Sequence, residues 1–273
     1  MGRVTSLDGS PIAFDRMGSG PPVVLVHAGF VDRRSCLLVA HELASRFTVV
    51  LVDRRGRGDS GPYREDHRIE REFEDVAAIV GALGGPVTLV GHSSSAWYVL
   101  YGARLAGGVH RLVLYEPPPL WIVPARVVGE IDAAVKAGAV DDAVEHLLVG
   151  ATRMPPTEAA VIRGSPVWQQ LAANAGAFVP ELDAGRRFRF DPMLFRDFST
   201  PTLLLLGTES PPFLRPITEQ VAAALPDARI RELDRQGHGA MSTAPALFAA
   251  VVAAFTDDDE LETTAKERGS SVS

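Results

Sequence analysis

Three stretches of this chain, Val23–Val26, Thr48–Val52 and Val87–Val90, are unbroken runs of Val, Leu and Thr. A strand with one face in water alternates apolar and polar residues; these runs do not, so both of their faces need burial, which a parallel sheet covered by helices supplies. Between them the spacing changes to that of helices. Leu37–Phe47 has helical apolar spacing, and Phe73, Val76, Ala77, Val80 and Leu83 fall at the offsets of one helical face. A helix is expected from about Ala96, then a strand at Leu112–Tyr115. This alternation predicts an α/β fold with a doubly wound, mostly parallel sheet. At the front, Ile12–Phe14 between the turn signals Asp8-Gly9 and Gly18-Ser19-Gly20 reads as an antiparallel start.

The rhythm stops at Pro117-Pro118-Pro119. Up to about Asp197 the chain carries Ala-rich stretches, such as Ile131–Val149, that read as helix. It resumes with strands at Thr202–Leu206 and Ala228–Leu233 and helices at Ile217–Leu225 and Ala246–Phe255. The expected organisation is a core from residues 1–116 and 198–256, an inserted helical cap at 117–197, and a polar, unpacked tail at 257–273. With 273 residues, 46% hydrophobic and 22% charged, the chain can bury a core of that size.

The net charge of −7 argues against a general nucleic-acid partner, which would need clustered cations facing phosphates. A single cysteine, Cys36, excludes an intrachain disulfide and a cysteine-rich metal site, and points to a reducing, cytoplasmic setting. The apolar run Ala246–Phe255 is shorter than the ~20 residues that span a bilayer, so no membrane partner is expected. Oligomeric state is not legible.

Chemistry concentrates where the third apolar run ends. Gly91-His92-Ser93-Ser94-Ser95 leads from that strand into a helix and matches a nucleophile elbow, G-x-S-x-G, with Ser95 in place of the last glycine. In such an elbow the serine stands at the apex of a strained turn, which requires small residues two positions away on either side. Ser93 could instead merely cap the helix. A serine hydroxyl becomes a useful nucleophile only when an imidazole takes its proton and a carboxylate orients that imidazole.

Taken with Leu25-Val26-His27-Ala28-Gly29-Phe30, Asp53-Arg54-Arg55-Gly56-Arg57-Gly58-Asp59-Ser60, Leu203–Gly207 and Gln236-Gly237-His238-Gly239, the elbow resembles the α/β-hydrolase family over about Val4–Phe255. The resemblance implies Ser93 as nucleophile, His238 as base, the backbone N–H groups of Gly29 and Ser94 as the oxyanion hole, and the insertion as a cap over the substrate. It assigns structural roles to His27 and His92. Asp53 reads as a turn residue satisfying backbone donors.

Two glutamates stand where the acid is needed. Most family members place it three residues past the glycine of the strand Leu203–Gly207, but that position is Ser210, with Glu209 one residue earlier. Glu116, directly after Leu112–Tyr115, is where relatives of haloalkane dehalogenases carry theirs. The residues alone leave both open. Phe30, Trp121 and Trp168 are expected to line the substrate pocket.

The function implied is a serine hydrolase, without metal or cofactor, that cleaves an ester, thioester or lactone of a small apolar molecule. Dehalogenase and epoxide hydrolase chemistry needs an Asp nucleophile, and residue 93 is Ser. The alternative is a non-hydrolytic member of the fold that binds, senses or cyclises a metabolite. The displaced acid and the crowded Ser95 motivate it.

Overall fold

A computed structural model describes residues 1–257; of the polar tail expected at 257–273, Asp257 closes the last helix and the rest lies outside the described residues. Eight strands form one sheet: β1 (Gly2–Thr5), β2 (Pro11–Met17), β3 (Pro22–Val26), β4 (Thr48–Val52), β5 (Val87–His92), β6 (Val109–Tyr115), β7 (Thr202–Gly207) and β8 (Ala228–Leu233). They lie side by side in the order β1-β2-β4-β3-β5-β6-β7-β8. β2 pairs antiparallel with both β1 and β4, as the turn-bounded start predicted, and the remaining neighbour pairs are parallel.

The apolar runs are continuous because each strand feeds two cores. Val24, Val26, Val50, Val52, Leu89, Leu112, Leu114 and Leu204 point into one. Their neighbours Val23, Leu25, Val49, Leu51, Val90, Val113, Leu203 and Leu205 point into the other. Successive strand side chains face opposite ways, so only a strand covered on both sides can be apolar at every position. β8, at the edge, is exposed along most of its length and carries Arg229, Arg231 and Glu232, charges that discourage further strand pairing.

The helices that cover the sheet are α1 (Leu37–Leu43), α2 (Glu70–Leu83), α3 (Ser94–Ala106), a helical insertion between β6 and β7, and three later helices. The insertion contains α4 (Ala125–Lys136), α5 (Val140–Glu145), α6 (Pro156–Ile162), α7 (Pro166–Ala173) and α8 (Phe178–Arg187). After it come α9 (Leu214–Ala224), α10 (Ala240–Thr243) and α11 (Pro245–Thr256). α2, α3 and α9 cover the first core, and α1, α10 and α11 the second. The insertion has a third core of its own, built around Val127, Ile131, Val144, Leu147, Trp168 and Phe178.

Two helices differ from expectation. The stretch Ile131–Val149 is not one helix, because Gly138 adopts φ 71° and turns the chain between α4 and α5. α1 stops at Leu43 rather than Phe47, since the chain must turn there to enter β4. No helix among the described residues is long and apolar enough to cross a membrane.

α2 and α3 pack so closely that a Cβ on Gly102 would stand 2.6 Å from the Val76 side chain. Gly102→Ala is therefore expected to destabilise by about 1–3 kcal/mol through overpacking. On the exposed side of α2, Gly81 has nothing within 4 Å of that position, and Gly81→Ala should gain about 0.5–1 kcal/mol from helix propensity. Urea midpoints of the two variants should move in opposite directions.

Candidate active site

The parallel strands all end at one edge of the sheet, and the predicted residues gather there. β5 passes into α3 with Ser93 as the single residue between them. Ser93 adopts φ 57° and ψ −126°, and its side chain does not cap α3. Its backbone N–H donates to the Tyr115 carbonyl at 2.8 Å, fixing the turn to β6. Gly91 is obligatory: a Cβ there would lie 2.5 Å from the Ser95 carbonyl oxygen and 2.4 Å from Val99. Ser95 is fully buried, and its hydroxyl donates to the His27 carbonyl at 2.5 Å. The extra hydroxymethyl group, which the sequence marked as crowding, is thus accommodated and hydrogen-bonded.

His238 follows β8 in the loop Asp234–Gly239, and its Nδ1 lies 2.5 Å from Glu116 Oε2. A carboxylate in this contact accepts, which places the proton on Nδ1 and leaves Nε2 free of it. Glu116 is fully buried, and its other oxygen accepts the Gly207 N–H at 2.7 Å. The end of β7 thus supplies a backbone donor that holds the carboxylate coming from β6. Gly207 has to be glycine, since a Cβ would stand 2.3 Å from the Gln236 carbonyl oxygen of the His238 loop.

Glu209 is not brought to the imidazole. Its side chain is exposed, and its backbone N–H donates to the Gln236 carbonyl at 2.9 Å. Of the two glutamates left open by the sequence, the structure pairs Glu116 with His238. Neither a motif nor a spacing distinguishes them. What selects Glu116 is the convergence of three strand ends.

Two aromatic residues hold the His238 loop. The Tyr115 hydroxyl donates to the Gly237 carbonyl and accepts the Ala240 N–H. His92 Nε2 donates to the His238 carbonyl at 2.9 Å, and its ring stacks on Tyr115. Burial and the neighbouring His238 keep His92 well below the usual histidine range, so it is a neutral donor. His27 is buried as well; its Nδ1 donates to the Ala28 carbonyl at 2.8 Å and its Nε2 accepts the Arg54 N–H at 3.1 Å. Burial, with Arg54 and Arg57 nearby, holds the ring at about 3. The structural roles expected for both histidines fit these contacts. Asp53 accepts the N–H groups of Asp59 at 2.9 Å and Arg33 at 3.1 Å, as expected of a turn residue.

The loop after β3 brings Gly29 and Phe30 to the elbow, and Phe30 adopts φ 70°. Among the described residues, the backbone N–H groups of Gly29 and Ser94 donate no hydrogen bond within the protein, so both remain available as donors. Only five non-glycine residues among those described have positive φ, and Phe30, Ser93 and Glu116 are three of them. Strain of this kind persists where the surroundings over-determine the backbone, and it clusters at functional sites.

Of the aromatics expected to line a pocket, Phe30 is half-buried and its ring meets Phe178 of α8 edge-on at 5.5 Å. Trp121 is half-buried beside Trp97 of the elbow helix. Trp168 departs from the expectation. It is buried in the insertion's own core and its Nε1 donates to Asp141 at 2.6 Å, because a large ring in a small helical unit is needed to fill that core.

Sequence reasoning missed Glu181. This carboxylate, in the first turn of α8, is buried and reaches Ser94 Oγ at 3.0 Å. Nothing in the sequence marks it, since it lies 87 residues from its partner. Among the described residues no group of three or more His, Cys, Asp or Glu side chains is arranged to hold a metal ion.

The His27 environment carries a direct test. Its ring should remain in the neutral Nδ1–H form at pH 5, where exposed histidines are charged; nitrogen and carbon chemical shifts of the imidazole report this. A ring that has become charged at that pH contradicts the buried hydrogen-bond pattern.

Residues 23–251 match the model of the alpha/beta hydrolase family. The chain is 26% identical over 256 residues to the sn-1-specific diacylglycerol lipase ABHD11 of Mus musculus, covering 86% of this chain and 80% of that protein. It is 24% identical to the 2-(acetamidomethylene)succinate hydrolase of Mesorhizobium japonicum, over 88% of this chain and 89% of that one. A solved alpha/beta hydrolase from Sphaerobacter thermophilus superposes with a TM-score of 0.83 at 36% identity, covering 93% of this chain and 100% of the other. With the elbow, the sheet order and the gathered side chains in place, this chain belongs to the alpha/beta hydrolase family.

Proposed function

We propose that this hydrolase cleaves an ester, thioester or lactone of a small, largely apolar molecule through an acyl-enzyme on Ser93. The single observation that carries the reading is the hydrogen bond from His238 Nδ1 to the buried Glu116, beside an elbow serine whose side chain does not cap its helix. In the proposed reaction Ser93 Oγ attacks the carbonyl carbon as His238 Nε2 takes its proton. Glu116 orients the ring and stabilises the imidazolium. The N–H groups of Gly29 and Ser94 receive the negative charge that develops on the carbonyl oxygen.

As the tetrahedral intermediate collapses, the bond to the leaving oxygen or sulfur breaks. That atom takes the proton from His238, and the acyl group stays on Ser93. Water, deprotonated by His238, then attacks the acyl carbon and releases the acid, returning the proton to Ser93. Residues 117–197 serve as a cap in this reading, over a core of residues 1–116 and 198–256, with Phe30 and Trp121 beside the acyl group. The hydroxyl of Ser95 has a partner, and the acid position left empty at Ser210 is matched by Glu116. Both contacts support the hydrolytic reading over a non-hydrolytic member of the fold that binds, senses or cyclises a metabolite.

Labelling with a fluorophosphonate and turnover of short nitrophenyl esters test the reading. Wild type should be labelled and turn over, and Ser93→Ala should do neither. A folded wild type that resists labelling excludes the acyl-enzyme. Glu116→Gln should lower kcat by up to about 10⁴-fold, as loss of the orienting carboxylate does in related triads, whereas Glu209→Gln should leave it within twofold. The reverse pattern reassigns the acid.

A further inference from the structure

We infer that Glu181, a carboxylate supplied by the helical insertion, is a positioning residue for the two backbone donors that flank Ser93. This rests on reading Gly29 and Ser94 as the oxyanion hole. The carboxylate touches both arms of that hole at once. Its Oε2 accepts the N–H of Phe30, the residue after Gly29, at 3.4 Å. Its Oε1 accepts the hydroxyl of Ser94 at 3.0 Å, and the same oxygen lies 3.0 Å from where a Cβ on Gly29 would stand. Those contacts engage Phe30 N–H and Ser94 Oγ and leave the N–H groups of Gly29 and Ser94 free to meet a ligand.

The geometry requires an anchor. Phe30 sits at φ 70°, a conformation that a bulky side chain does not hold unaided. The two arms come from different strands, the β3 loop and the end of β5, and among the described residues no backbone hydrogen bond joins Gly29 or Phe30 to Ser93 or Ser94. Glu181 is in turn fixed from below. Arg54 Nη2 lies 3.0 Å from Oε1, Arg57 pairs with Oε2, and the Tyr98 hydroxyl reaches Oε1 at 3.5 Å. Burial disfavours its charge, but Arg54 and Arg57 outweigh that and hold the carboxyl below its usual range. A charged acceptor with two oxygens can therefore serve both arms where a neutral group of the same size serves them less well.

A carboxylate that only neutralises Arg54 and Arg57 would pin the insertion to the core without affecting catalysis. The two roles separate by substitution. Glu181→Asp keeps the charge but withdraws the oxygens by one methylene. It is expected to lower kcat for a short nitrophenyl ester about 10- to 100-fold, the range for a misplacement near 1 Å, with KM within threefold. The affinity for a trifluoromethyl ketone, whose hemiketal oxyanion occupies the same hole, should fall by the same factor.

Ser94→Ala, which removes one buried hydrogen bond to the carboxylate and keeps the N–H, provides the second measurement. It should lower ketone affinity severalfold, and its effect should not add to that of Glu181→Asp. Wild-type kcat and ketone affinity in Glu181→Asp, or strictly additive effects in the double variant, overturn the inference whatever the change in Tm. If Glu181→Asp does not fold, an unchanged ketone affinity in Ser94→Ala overturns it. A wild type that neither reacts with fluorophosphonate nor binds the ketone instead removes the acyl-enzyme reading, and this inference with it.

Discussion

One buried carboxylate ties together the ends of three neighbouring strands. Glu116 leaves β6, accepts the N–H of Gly207 at the end of β7, and accepts Nδ1–H of His238 from the loop after β8. A fully buried carboxylate is costly to desolvate, and hydrogen bonds to both oxygens offset that cost. The same contacts make the position of the His238 ring a property of the sheet rather than of a free loop. Tyr115 and His92 reinforce it by binding the loop backbone at Gly237, His238 and Ala240. Strand ends thus fix where the imidazole stands, on the same edge of the sheet as the elbow that carries Ser93.

Beneath the elbow lies a second polar layer with different physics. Arg54 and Arg57 are almost fully buried and face Glu72 and Glu181, two cations against two anions. Arg54 holds Glu72 at 2.9 Å, and with Arg57 it draws that carboxyl down to about 2 in spite of its burial. Such clusters contribute little net stability compared with apolar packing, yet removing one partner leaves an uncompensated buried charge at a cost of about 3–5 kcal/mol. Because one of the four charges comes from α8, the insertion is bound into the core electrostatically as well as by apolar contact. Asp32 adds a second tie, accepting from Gln170 of α7 at 2.7 Å. The insertion keeps its own apolar core, so its internal packing and its seating on the sheet are separate matters.

Much of this was legible in the chain. β4 and β8 were read with the boundaries they have, and the doubly wound sheet followed from apolar runs that no half-exposed strand can sustain. Ser93 was legible because the elbow is local: strand, small residues and helix are contiguous, and each step has a steric reason. His238 was legible through the glycines on either side of it. Helix ends were less so. Gly138 breaks one expected helix by a backbone turn, and the entry into β4 shortens another. Trp168 shows why a large aromatic in an insertion is ambiguous, since composition does not say whether it fills a core or faces a cleft.

By itself the sequence determined what each local segment must do: which runs are buried on both faces, where the chain is forced through a tight turn, and which hydroxyl and imidazole are offered at strand ends. Periodicity and steric constraint act over a few residues, so they can be read in one dimension. Only the tertiary structure decided between Glu116 and Glu209, and only it brought Glu181 to Ser94. Those choices depend on which strands are neighbours and on how the insertion seats, contacts that link residues 122 and 87 positions apart and leave no pattern in the intervening chain.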